Sequence, residues 1–359
     1  MKVNILYTHV VFCILSLLFS SDLQGQLRPS ALPEDMDEHS LAVKCYCSPG
    51  VRNKTRSKGI SLSYQFLTGG NLRSTDGKIG EPFPEYSKFR NLKTKLSLPI
   101  IRRPQFKTVI SMSYQAEQYE LNEITNDYQD ILATTDDLNF KSSGFGISYS
   151  YSPNATNYIG GKISLRYNGS YGGLIEFSNQ YAIYGGAIAY GIKKHEDNEW
   201  GFGLAGSKNF RRQGFRVLPF LFWNKTINDH WGYQLTFPSS YKLRYNLDPK
   251  TIFVASANYN GESYSFDQFT NDNRAIAFNH SEVLTVLRME REILPWVWVD
   301  AQVGYHFNFN SDFELQSSQE TILDIDPDNS ILLKIGIFIS PSDSFVEGKD
   351  RNENPPAVY

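Results

Sequence analysis

Glu282, Arg288, Asp300 and His306 form the sharpest chemical constellation in the chain. They lie in two segments, 280–291 and 296–309, whose polarity alternates residue by residue, so all four fall on the polar face of a hairpin. A turn centred on Leu294 would set Arg288 opposite Asp300 and Glu282 opposite His306. Opposed charges across paired strands contribute about 0.2–1 kcal/mol each. Such a set can work as a polar gate, and Glu282 with His306 as a carboxylate–histidine acid/base pair. The plainer reading, a polar interior that satisfies its own charges, is preferred. Ser281 adjoins His280 but points to the opposite face, and no Gly-x-Ser-x-Gly elbow is present. A lipid hydrolase or acyltransferase is therefore not expected, and no catalytic residue is assigned.

Two further clusters invite a metal. Asp324-x-Asp326-x-Asp328 has the spacing that opens a calcium loop, and hard divalent cations favour such oxygens. Asn329 stands where the loop needs glycine, however, and Ile335 where it needs the late glutamate. A diffuse attraction for divalent ions, bridging the chain to anionic lipopolysaccharide, stands against a merely solvated acidic loop. Cys45-x-Cys47 is half of a zinc site at most, with no nearby ligands to complete it. Two thiols in a loose leader are the simpler reading, and no cofactor is expected.

Charge is distributed unevenly. The stretch from Tyr119 to Phe140 carries Glu120, Glu123, Asp127, Asp130, Asp136 and Asp137 and no base. Asn310 to Asn329 adds Asp312, Glu314, Glu320 and the three aspartates above, again without a base. Arg52, Lys54, Arg56, Lys58, Arg102, Arg103, Lys193, Lys194 and Lys250 cluster instead near the expected short turns. A net charge of -3 offers no basis for nucleic-acid binding.

The elements that must position these residues read as strands. Val297, Val299, Ala301, Val303, Tyr305, Phe307 and Phe309 make one face of a segment; Trp298, Asp300, Gln302, Gly304, His306 and Asn308 make the other. Ile159, Gly161, Ile163, Leu165 and Tyr167 oppose Lys162, Ser164, Arg166 and Asn168 in the same way. This period of two belongs to strands. Fourteen segments are expected, near 59–67, 89–100, 106–117, 140–152, 157–169, 180–193, 199–210, 215–225, 230–237, 240–247, 251–261, 280–291, 296–309 and 330–340. The pair 230–237 and 240–247 keeps one phase through Pro238, and fusing it would leave twelve strands, since such barrels have even numbers.

The chain carries 22 Tyr, 24 Phe and 5 Trp with a negative mean hydropathy. Alternating strands that show every second residue to lipid have this composition. Tyr64 and Phe66, Tyr149 and Tyr151, and Tyr305, Phe307 and Phe309 all fall toward one strand end, as an interfacial girdle requires. A sheet crosses a bilayer only when closed on itself. The expected fold is therefore all-β: a closed antiparallel transmembrane barrel of 12–14 strands over 58–340, with both termini periplasmic. The alternative is a soluble sandwich, whose strands are commonly shorter, about 5–6 residues.

Residues 1–25 read as a secretory signal, 26–57 as a flexible periplasmic leader and 341–359 as a polar tail. Gly144-Phe145-Gly146, Gly201-Phe202-Gly203, Leu235-Thr236-Phe237-Pro238 and Lys242-Leu243-Arg244-Tyr245-Asn246 resemble a porin-like outer-membrane barrel family of unknown function found in Bacteroidota. The resemblance implies that fold over 58–340 and no substrate or cofactor. The expected role is an outer-membrane channel for small solutes, partly plugged by long loops or by large lumen residues such as Trp298. The alternative is a non-conducting structural or surface-interaction barrel, in contact with outer-membrane lipid and lipopolysaccharide.

Overall fold

Alternating polarity becomes strand throughout the computed structural model, which describes residues 46–47, 49–74, 85–122, 139–210, 214–266 and 275–340. The signal segment, most of the leader, the acids Glu123 to Asp137 and the polar tail lie outside the described residues. The strands are β1 (Ile60–Ser74), β2 (Glu85–Arg102), β3 (Phe106–Asn122), β4 (Asn139–Tyr151), β5 (Asn157–Gly169), β6 (Ala182–His195), β7 (Asn198–Asn209) and β8 (Arg216–Thr226). They continue as β9 (Trp231–Phe237), β10 (Ser240–Asp248), β11 (Thr251–Phe266), β12 (Ile276–Leu294), β13 (Val297–Leu315), β14 (Thr321–Pro327) and β15 (Ser330–Ile339). No helix occurs among the described residues.

Each strand from β1 to β13 pairs antiparallel with the next, and β15 bonds to both β13 and β1. The sheet is thus closed. β13 and β1 each pair with β14 beyond the end of β15, so β14 and β15 are two parts of one column, interrupted at Asp328 and Asn329. The wall accordingly has 14 strands. The segments around Pro238 remain separate, as a tight β9–β10 hairpin with a cis Phe237–Pro238 peptide.

The apolar rows face outward. Ile163 is 69% exposed, Ile335 60% and Phe309 67%. A sandwich would hide these rows between its layers, so this wall is of the membrane type, apolar outside and polar within. Antiparallel neighbours reverse direction, which divides the aromatics between two rims rather than gathering them at one. Tyr149, Tyr151, Trp200, Trp223, Trp231 and Tyr245 sit near the short turns. Tyr64 and Phe66 lie in the half of β1 nearer the short turns, Tyr305 at the middle of β13, and Phe307 and Phe309 beyond it toward the opposite end.

Strand lengths are unequal. β12 and β13 have 19 residues each, β9 only 7. The long strands run through stretches expected as loops because their alternation changes sense. A bulge in β13 opposite Ser281/Glu282 puts an extra residue in that strand and swaps its faces. Phe313 and Leu315 thereby turn inside, to pack with Phe140, Tyr264, Phe266, Ile276, Phe278, Leu323 and Ile325. On the β11–β4 side, the end of the barrel away from the short turns is filled by this apolar cluster.

There β5 and β11 also meet across the barrel. Gly169 pairs in parallel with Ser265, Ser170 N donates to Ser265 O at 3.2 Å, and Asn168 Nδ2 donates to Ser263 O at 3.2 Å. A Cβ on Gly169 would lie 2.5 Å from Ser265 O, so the approach needs glycine. This contact separates a sector made by β6–β10 from the apolar-filled side.

Candidate functional site

The lumen is built from the inward residues of these strands. At the short-turn end, residues 46–47 and 49–58 lack regular structure, yet they are tied from turn to turn across the mouth. Cys47 N donates to Asn154 O at 2.8 Å and Arg52 N to Glu196 O at 2.9 Å. Arg52 Nε donates to Asp197 at 2.9 Å, and Asn246 Nδ2 donates to Asn53 O at 3.2 Å. Arg244, only 2% exposed, donates to Thr226 Oγ1 at 3.2 Å and reaches Arg52 O. Part of the expected flexible leader is therefore a strap held by the barrel. Burial raises the Cys47 thiol above its ordinary range, chiefly by desolvation.

Above the strap, Trp298 stacks on Phe338 and packs with Ile252 and Val254. The Arg56 guanidinium lies 5.4 Å from the centre of the Trp298 ring system. Lys58 enters beside them, 3.4 Å from Glu290 and in contact with Asp300, and Arg288 Nε lies 3.1 Å from Glu290.

The hairpin register differs from the expected one by two residues. Glu290 opposes Asp300, Arg288 opposes Gln302, and Glu282 opposes Asn308. The turn lies at Pro295 and Trp296 rather than Leu294, with Trp296 at φ 71° and a bulge between Glu292 and Leu294. An even shift preserves the faces, so all four residues still point inward. Arg288 and Asp300 do not pair with each other; Glu290 and Lys58 are their partners. Glu282 reaches His306 diagonally and bonds to it.

His280 completes this cluster. Its Nε2 is 3.0 Å from Glu282 Oε2 and its Nδ1 2.7 Å from Ser311 Oγ, while Asn260 Nδ2 donates to Glu282 Oε1 at 3.0 Å. The three ligand atoms of His280, Glu282 and His306 lie within 4.8 Å of one another. Two imidazoles and a carboxylate are donors that suit zinc and its neighbours, and equally a charged hydrogen-bonded triad. The cluster borders a cavity of about 190 Å³ lined also by Gln65, Asn91, Lys93, Gln115, Glu117, Glu262 and Lys334. The His-x-Glu alternation in β12 was the available sign of His280.

Asp324, Asp326 and Asp328 do not surround a common point. Asp324 and Asp326 alternate along β14, and Asp328 follows its end; alternate side chains in a strand stand about 7 Å apart. Asp328 accepts from Asn71 Nδ2 at 3.0 Å and pairs with Arg73 at 3.3 Å. Asp312 and Glu314, expected on a solvated loop, are buried.

Five inward lysines were not brought together by sequence reasoning: Lys93 and Lys95 on β2, Lys162 on β5, Lys242 on β10 and Lys334 on β15. Outward Leu92, Ile163, Tyr241 and Ile335 mark the opposite phase on the same strands. Lys93, Lys95 and Lys162 are solvent-exposed although they point into the barrel, so water reaches the lumen.

Fold and lumen together define a closed, membrane-type β-barrel with a hydrated polar interior. No family model matches the chain, and no curated protein sequence matches it. Among solved structures it is similar to a FadL homologue of Pseudomonas aeruginosa, at 8% identity and a TM-score of 0.43 over 78% of this chain and 90% of that one. It is also similar to a mutant of the TodX monoaromatic hydrocarbon channel, at 7% and 0.37 over 80% and 91%. The KdgM porin matches at 8% and 0.32 over 79% and 99%. At these scores the fold rests on the closed sheet itself.

Proposed function

We propose that this chain is an outer-membrane channel-type barrel that passes small hydrophilic solutes, with its short turns and both chain ends in the periplasm. The observation that carries this reading is the set of water-exposed lysines inside a wall whose outer face is apolar. Side chains of that kind are stable at membrane depth only beside water or a counter-charge. The sector made by β6–β10 has small inward residues, Gly185, Ala187, Ala189, Gly201, Gly203 and Ala205, with the rings of Phe220 and Phe222 lying over Gly203 and Gly201. No catalytic residue is assigned.

Purified protein in planar bilayers tests the reading: discrete conductance steps are expected, and silence at all voltages would refute it. Heat-modifiable migration and recovery in the outer-membrane fraction test the location. A non-conducting barrel is the second reading, favoured by the strap across one mouth and the apolar cluster at the other. Contact of the acidic outer residues with lipopolysaccharide through divalent ions, and kinship with the Bacteroidota barrels, belong to the same proposal.

A further inference from the structure

Positive and negative groups inside the barrel are treated differently by their neighbours. The carboxylates are engaged. Asp300 and Glu290 meet Lys58, Glu282 meets two histidines, and Glu262 lies 4.0 Å from Arg166 and accepts from Tyr264 at 2.5 Å. Glu199 accepts from Tyr158 and Asn224, and Glu117 from Asn91 and Gln115. Lys93, Lys95, Lys162, Lys242 and Lys334 make no hydrogen bond or ion pair with any of the described residues.

The five come from separate parts of the wall yet share one zone. Register places Lys93 opposite Ser63, Lys334 opposite Gln65, Lys162 opposite Ser148, and Lys242 between Gln234 and Ser256. Lys95 lies in the field of Lys162, Lys93 and Lys58; Lys334 in that of Lys93, Asp300, Lys58 and Arg288; Lys242 in that of Arg288, Glu290 and Lys58; and Lys93 in that of Glu117. Lys162 lies on β5, beside the β6–β10 sector, and Lys242 on β10, within it. Ammonium groups that no carboxylate bonds directly, gathered in a low-dielectric tube, repel one another and attract mobile counter-charge. Rings of lysine or arginine confer anion preference on pores by this means.

We propose that the lumen selects anions, and that the solutes it passes are small molecules bearing carboxylate, phosphate or similar groups. This inference rests on the channel reading above. The test is the reversal potential of the full chain in planar bilayers under a potassium chloride gradient. Its sign should be that of a chloride-preferring pore, with a chloride-to-potassium permeability ratio above unity. Replacing the five lysines by glutamine should bring the ratio to unity or below, while replacing them by arginine should keep it above. Heat-modifiable migration verifies folding. If the fivefold variant does not fold, Lys162→Gln and Lys242→Gln singly should each lower the ratio. Silence of the native protein removes the channel reading and this inference with it. Conduction with cation preference, or a ratio indifferent to the glutamine replacements, overturns the inference alone.

Discussion

Glu282 holds two imidazoles from neighbouring strands, and its removal exposes what the carboxylate contributes. Hydrogen bonds to a charged group contribute about 1.5–3 kcal/mol each, so Glu282→Gln should lower unfolding stability by about 3 kcal/mol. Denaturant titration followed by heat-modifiable migration measures this; an unchanged midpoint would leave the triad without structural weight. Cys47 offers a second test. Its raised pKa means little thiolate near neutrality, so in a Cys13→Ser/Cys45→Ser variant alkylation should be slow at pH 7 and accelerate only in alkaline solution. The unfolded chain should react at the ordinary rate. Rapid labelling of the folded form at neutral pH would show that the strap does not cover the thiol. At this scale the sequence was readable in part. Alternation alone places Glu282, Arg288, Asp300 and His306 on one inward face. It cannot say which pairs touch, because the position of the Pro295–Trp296 turn sets the register.

The strap and the β5–β11 contact narrow the lumen along with the apolar cluster around Phe140 and Phe313. Arg244→Ala would remove the buried guanidinium that reaches Arg52 O, and should loosen residues 46–58. Greater mean conductance or more frequent opening in single-channel records is the expected result, and unaltered records would mean the strap does not obstruct flow. Gly169→Ala would drive a Cβ against Ser265 O and the Tyr181 ring. Overpacking of this kind typically costs about 1–3 kcal/mol, seen as a lower melting temperature of the folded band. Neither element was legible beforehand. The strap has no period, since its backbone bonds go to scattered turns. The β5–β11 approach joins strands far apart in the chain. The long outer extensions were hidden for another reason: a single bulge in β13 reverses the faces, so the outward apolar rows by which strands are recognised stop there.

At the scale of the molecule, the closed sheet follows from many weak signals that agree, strand after strand, while the lysine zone needs the closed ring before it exists. Lys93 and Lys242 are distant in sequence, and each alone is an unremarkable polar residue on a strand. The unequal wall has its own mechanical outcome. With a rise of about 3.4 Å per residue and a tilt of about 40°, the 7 residues of β9 climb about 18 Å. The 19 residues of β12 climb about 50 Å. An apolar band on such barrels is about 25 Å tall, so the bilayer next to β9 must thin. A nitroxide at Ser239 should then be relaxed by dissolved oxygen more than by an aqueous reagent, and one at Ser318 the reverse; equal accessibility would contradict this. The lipid annulus around this protein would not be a uniform collar but a ramp, with headgroups drawn down on one flank and left level on the other.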